Sequence, residues 1–145
     1  VHLSVSHLGI CVSDLDRSRR FYRDGLGFEE QWSHQVGPEF ARLMEVDGVE
    51  LRSVMVARDG LTLELLGFDA PGHSGPSGRR PMNQLGFTHL SLRVDDVDEV
   101  AQAIARHGGS VIEATRTRLE MGGADLDFVY CTDPDGVRIE LMRLP

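Results

Sequence analysis

The chain has 145 residues, 41% hydrophobic and 26% charged, enough for one domain with a substantial core. Its formal charge of −8 argues against a nucleic-acid backbone as partner, and because all fifteen basic residues are arginine no lysine Schiff base is available. No apolar run is long enough to span a membrane, and the sequence opens on no basic-then-apolar leader. No membrane contact is therefore expected. The expected setting is cytoplasmic, with Cys11 and Cys131 reduced and packed as small apolar residues.

In chain order, residues 3–12 alternate and are rich in β-branched side chains, which predicts a strand. Ser13 or Asp14 caps a helix over about 14–24, with Asp16 in its first turn and Gly25 ending it. Residues 28–34 read as extended, and Pro38 opens a short helix with Phe40, Leu43 and Met44 on one face. Strands 49–57 and 61–67 are joined through Asp59-Gly60, a hairpin signal. Residues 69–84 are rich in Gly, Pro and Ser and read as a linker between a first module, 1–68, and a second, 85–145, within a single domain. The second module opens with a strand over 87–94. A helix follows, capped by Asp95 or Asp96, carrying Val97, Val100, Ala101, Ile104 and Ala105 at helical spacing and stopped by Gly108-Gly109. Strands 111–114, 125–132 and 137–143 complete it, the last two joined by Asp133-Pro-Asp-Gly136.

The two modules repeat each other. His7-Leu-Gly-Ile-Cys-Val-Ser-Asp-Leu-Asp16 aligns with His89-Leu-Ser-Leu-Arg-Val-Asp-Asp-Val-Asp98, and Asp59-Gly-Leu-Thr-Leu-Glu-Leu65 aligns with Asp135-Gly-Val-Arg-Ile-Glu-Leu141. Matched starts and matched ends in the same order argue for a duplicated βαβββ module. Side chains alternate across a strand, so Leu63, Leu65, Leu90, Leu92, Ile139 and Leu141 share apolar faces that pack on helices. His7, Glu64, His89 and Glu140 fall on the opposite, more polar faces. Imidazole and carboxylate donors of this kind suit one divalent ion, Zn²⁺, Ni²⁺, Co²⁺, Mn²⁺ or Fe²⁺. Glu50 opens a strand leading toward these residues and is a candidate second base, and Tyr130 is a candidate lining residue. Arg79, Arg80 and Arg93 are candidates to meet an anionic substrate.

These residues resemble the vicinal oxygen chelate superfamily, which includes glyoxalase I, methylmalonyl-CoA epimerase, extradiol dioxygenases and antibiotic-resistance proteins. The resemblance rests on His7-Leu-Gly-Ile with Asp14-Leu15 and Phe21-Tyr22, Leu-Glu64-Leu, Thr-His89-Leu, and Asp133-Pro-Asp-Gly with Ile-Glu140-Leu. It implies an α+β fold in which paired βαβββ modules form a curved mixed sheet, a half-barrel cradle around a metal, in a homodimer. It also implies a small oxygenated or thioester substrate that chelates the metal through two oxygens. The order His7, Glu64, His89, Glu140 resembles bacterial glyoxalase I, although Cys11 and Phe68 stand where that enzyme tends to have Arg and Asn. The implied activity is a metal-dependent lyase or isomerase in which a glutamate removes the proton beside a polarised carbonyl. Glu140 is the first choice of base, Glu64 the second and Glu50 the third. Two alternatives stay open. One is an extradiol-type dioxygenase using His7, His89 and Glu140 with Fe(II). The other is a resistance protein that binds a drug or metabolite without chemistry.

Overall fold

Each half of the chain folds as strand, helix and three further strands, the order that the internal repeat predicts. The computed structural model describes residues 1–145, which divide into two compact units, Val1–Gly75 and Pro76–Pro145. In the first, β1 (Leu8–Val12) leads to α1 (Leu15–Arg20), continued by a π-helical turn, Phe21–Gly25. Then come β2 (Glu29–Val36), a 3-10 turn opened by Pro38, α2 (Ala41–Met44), β3 (Glu50–Arg58) and β4 (Leu61–Ala70). The second unit contains β5 (Leu90–Arg93), α3 (Val97–Arg106), β6 (Ser110–Met121), β7 (Ala124–Thr132) and β8 (Arg138–Arg143). The sheets run β1-β4-β3-β2 and β5-β8-β7-β6. In each, the first strand lies parallel to the last and the other pairings are antiparallel, so the α+β expectation holds.

Helices α1 and α3 each start on an aspartate whose carboxylate accepts a backbone N–H three residues on, Asp14 from Arg17 at 2.9 Å and Asp96 from Glu99 at 3.0 Å. They stop one residue out of step. The left-handed glycine that ends the helical path is Gly27, twenty residues after His7, whereas Gly108 comes nineteen after His89. The π-helical turn in the first unit absorbs the extra residue. It also moves the stop from the expected Gly25 to Gly27.

Two-residue turns with positive φ at both positions set the hairpins. Asp59 and Gly60 (49° and 82°) join β3 to β4 as expected. Gly122 and Gly123 (62° and 84°) join β6 to β7, making β6 much longer than the predicted 111–114. Its outer half carries Arg116, Arg118 and Glu120 in alternation, a pattern that reads as polar loop until the Gly-Gly turn is recognised.

The first strands are shorter than predicted. Leu8 pairs with Leu63 and Leu90 with Ile139, while β4 begins at Leu61 and β8 at Arg138. Residues upstream of position 6 and of position 89 therefore run past the ends of their partners, and Leu3, Val5 and Phe87 are each 85% exposed. Leu43 and Ala105, expected on apolar faces, are also exposed.

The predicted apolar faces of β4 and β8 are the buried ones. In the first unit Leu63 and Leu65 join the core with Leu15, Phe21, Tyr22 and Phe28, whose three rings meet edge to face. Gly67 lets α1 come close, since a Cβ there would lie 2.9 Å from Leu15 Cβ. In the second unit Ile139, Leu141, Val129 and Cys131 pair with Val97, Ala101 and Ile104 of α3 as the buried set.

Arg116 of β6 ties this unit together. It grips the buried Asp127 with two hydrogen bonds of 2.5 Å and reaches Asp98 of α3 at 2.7 Å. The Arg116 hydrogen bonds hold the Asp127 carboxyl below its ordinary value of 3.8. Removing the carboxylate would leave a guanidinium largely buried and only partly paired. Asp127→Asn should therefore lower stability by about 3–5 kcal/mol in urea unfolding at pH 7. Because the folded pKa is depressed, this stability is present above about pH 4 and is lost as pH falls through the folded value. The wild-type excess over Asp127→Asn should shrink in the same acidic range.

Candidate functional site

Each unit presents one histidine immediately before its first strand, His7 before β1 and His89 before β5, and one glutamate on the parallel neighbour, Glu64 in β4 and Glu140 in β8. In β1 and β4, Gly9 pairs with Glu64; in β5 and β8, Ser91 pairs with Glu140. Both times the residue two after the histidine faces the glutamate, so histidine and carboxylate lie on the same side of the sheet. His7 Nε2 lies 3.0 Å from Glu64 Oε2, and His89 Nε2 lies 3.5 Å from Glu140 Oε2. The glutamate side chains are 15% and 19% exposed, open enough to meet a ligand while shielded by the sheet.

Within the first unit the His7–Glu64 spacing is that of two donors to one ion, and the His89–Glu140 spacing of the second is slightly wider. Two donors about 2.1 Å from one ion, at angles between octahedral and tetrahedral, stand roughly 3.0–3.4 Å apart. The outer nitrogens are also occupied. Ser6 Oγ lies 2.9 Å from His7 Nδ1, and Thr88 Oγ1 lies 2.9 Å from His89 Nδ1, leaving each Nε2 pointed at its carboxylate. Such outer partners orient metal-ligating imidazoles. Each unit supplies two donors of this type, and no group of three or more His, Cys, Asp and Glu side chains forms in either.

Hydroxyls hold the glutamates, but from different strands. Ser53 of β3 donates to Glu64 Oε1 at 2.6 Å, the oxygen turned away from His7. Ser91 of β5 donates to Glu140 Oε2 at 2.7 Å, the same oxygen that faces His89. Glu64 thus has both oxygens engaged, whereas Glu140 has both contacts on one.

Tyr130 lies across from Glu140 in the β7–β8 ladder and meets the His89 ring edge to face at 5.5 Å. A bulge in β6 supports it, with the Thr115 hydroxyl accepting the Tyr130 backbone N–H at 2.9 Å. Burial, and then the Glu140 charge, push the Tyr130 phenol above its ordinary value of 10.0, keeping it protonated. Arg138, on the same face two residues before Glu140, lies 5.1 Å from the Tyr130 ring centre.

The other predicted residues fall elsewhere. Glu50 pairs with Ala70, six residues along β4 from Glu64 and so roughly 20 Å away. Burial pushes the Cys131 thiol up to about 11, as an inert apolar residue requires, but Cys11 is exposed and departs from that expectation. The hydroxyls at Ser6, Ser53, Thr88 and Ser91 went unassigned in the sequence reading. Ser6 and Thr88 had a signal, each immediately preceding a repeated histidine; Ser53 had none, because its reach depends on the β3–β4 register.

The chain has relatives among known proteins. A family model described as the Glyoxalase/Bleomycin resistance protein/Dioxygenase superfamily matches residues 4–141. The chain is 28% identical to a 2-epi-5-epi-valiolone epimerase of Actinomyces sp., over 99% of this chain and 80% of that protein. It is 29% identical to a lactoylglutathione lyase of Haemophilus influenzae, over 97% of this chain and 93% of that protein. A crystal structure of a glyoxalase family protein from Bacillus cereus superposes with a TM-score of 0.82 at 20% identity, over 99% of this chain and 95% of that one.

The electrostatic contact between Glu140 and Tyr130 has a direct readout. In metal-free protein, absorbance titration should show Tyr130 ionising above pH 10, with Tyr130→Phe identifying its contribution. Glu140→Gln should move that ionisation downward but not abolish the upward shift, since burial is the larger cause. An unchanged Tyr130 titration in Glu140→Gln would contradict the contact.

Proposed function

The chain belongs to the Glyoxalase/Bleomycin resistance protein/Dioxygenase superfamily, and on that premise we propose that it is a divalent-metal-dependent lyase or isomerase of glyoxalase or epimerase type, acting on a small oxygenated or thioester substrate. Proteins of this superfamily typically use a divalent metal. We assign His7, Glu64, His89 and Glu140 as the residues that hold it, and a homodimer as the assembled form. The observation that carries the proposal is the pair of matched imidazole–carboxylate contacts, 3.0 and 3.5 Å, each backed by a hydroxyl on the outer imidazole nitrogen.

When bound, the metal would polarise a substrate carbonyl and make the adjacent C–H bond more acidic. Everything else falls to side chains of the chain itself. Proton removal requires a carboxylate oxygen that is near the reacting carbon and not already committed to a donor. Glu64 is the poorer choice, because Ser53 holds one oxygen and His7 faces the other. Glu140 is the better choice, because Ser91 and His89 both address Oε2 and leave Oε1 to accept the proton. Glu50, about 20 Å along the strand from Glu64, receives no catalytic role. Tyr130, kept protonated, can donate a hydrogen bond beside Glu140 but cannot act as a base near neutral pH.

The test is solvent-deuterium exchange at the reacting carbon. Protein reconstituted anaerobically with each metal is assayed for hemithioacetal isomerisation, for proton exchange at the α-carbon of an acyl-CoA, and for oxygen uptake with catechols. Activity is expected in one of the first two. Glu140→Gln should keep at least partial metal binding and lose about 10²- to 10⁴-fold in exchange rate, the range that a positioned general base supplies. Exchange at the wild-type rate in metal-loaded Glu140→Gln would remove Glu140 as the base. Fe²⁺-dependent oxygen uptake would favour dioxygenase chemistry, and tight binding without turnover in any assay would favour sequestration.

A further inference from the structure

Acidic residues outnumber basic ones by eight in this chain, so an arginine has carboxylates to choose from. Arg116, the half-buried arginine of β6, takes two of them. Arg138 takes none. It is only 8% exposed, yet its partners are the Arg80 carbonyl, at 2.7 Å, and the face of the Tyr130 ring. A carbonyl and a ring are partial partners for a cation, and neither neutralises it.

More positive charge gathers at the same place. The segment 78–80 lies across the β7–β8 turn. Gly78 N–H donates to the Asp135 carbonyl at 3.2 Å, and Gly136 has no room for a Cβ because the Gly78 backbone would lie 2.4 Å from it. That packing lays the Arg80 carbonyl on Arg138 and brings Arg79 close enough for its charge to bear on Arg138. Arg80 turns its guanidinium to the Phe87 carbonyl at 2.5 Å, two residues before His89. No carboxylate pairs with any of the three, and they flank the face that carries His89, Tyr130 and Glu140.

We propose that Arg138, with Arg79 and Arg80, recognises an anionic group of the substrate, a carboxylate or a phosphate, and holds it beside the His89–Glu140 pair. The proposal rests on the functional reading above and adds the substrate's charge to it. Arg138 and Glu140 are alternate residues of one strand, about 7 Å apart along it, which suits a short molecule carrying the anion near its reacting carbon. Guanidinium groups bind both oxyanions through paired N–H donors, and the cluster would discriminate against neutral analogues, which leave those donors unmatched. Arg138 is a specificity-determining residue in this account, and Arg79 and Arg80 complete its charge.

Inorganic phosphate and acetate are the probes. Backbone amide shifts of residues 136–143 are followed by NMR during titration of full-length protein, both metal-free and loaded with Zn²⁺. Saturable shifts are expected in the wild type. Arg138→Met should weaken binding at least tenfold while keeping the wild-type circular dichroism spectrum and Zn²⁺ affinity. Arg138→Lys should retain weakened binding, and the exposed double variant Arg79→Met/Arg80→Met should weaken it without disturbing the fold. Saturation by phosphate alone assigns a phosphate-bearing substrate; saturation by acetate assigns a carboxylate. Absence of saturable shifts with both anions, or equal binding by wild type and Arg138→Met, overturns the proposal. If Zn²⁺ fails to bind the wild type while the Arg138-dependent shifts persist, the anion site stands and the metal reading falls.

Discussion

The parallel pairing of the first strand of each unit with its last is the constraint on which the site depends. A parallel pair cannot be closed by a tight turn, so helix and intervening strands must separate the two segments. That is why each histidine lies more than fifty residues from its glutamate in sequence and still reaches it across one strand spacing. The register is the same in both units, with position His+2 opposite the glutamate. A slip of one residue would send the histidine to the helix-packed face. The buried leucines and isoleucines on that face, Leu63, Leu65, Ile139 and Leu141, resist such a slip. The apolar packing that stabilises the sheet thereby fixes where the polar donors point.

The two imidazole–carboxylate pairs are alike in their residues and unlike in their supports. The hydroxyl that steadies Glu64 comes from Ser53 on a neighbouring antiparallel strand; the one that steadies Glu140 comes from Ser91 on the parallel strand. Gly9 occupies the position of Ser91 in the first unit and can offer no hydroxyl. Met55 pairs with Glu64 where Tyr130 pairs with Glu140. Duplication accounts for the shared donors, and later divergence of their neighbours gives the second unit the phenol, the uncommitted carboxylate oxygen and the unpaired arginine. The imidazole–carboxylate pair is thus common to both halves, and the phenol, the uncommitted oxygen and the unpaired arginine gather in the second.

Much of this was legible in the residues. The repeated His-Leu and Glu-Leu segments gave the module order, and strand parity put the four donors on polar faces, because both arguments use only spacing. Asp59-Gly60 marked a hairpin for the same reason. What spacing cannot show is register between strands distant in sequence, and the misses follow from that. The ends of β1 and β5 depend on where β4 and β8 begin, the Ser53 contact depends on the β3–β4 ladder, and the distance of Glu50 from Glu64 depends on that ladder too. The length of β6 was obscured by its charged outer face. Parity puts Arg138 on the polar face beside Glu140, but an arginine there ordinarily finds a carboxylate, and only the structure shows that this one does not.

The proposed metal ligands are the imidazoles of His7 and His89 and the carboxylates of Glu64 and Glu140. X-ray absorption at the metal edge of protein loaded to one Zn²⁺ or Co²⁺ per chain counts imidazole ligands directly. The account predicts two imidazoles in the wild type, one in His7→Ala and one in His89→Ala. A wild-type ion with fewer than two imidazoles, or a count that neither substitution changes, would contradict it.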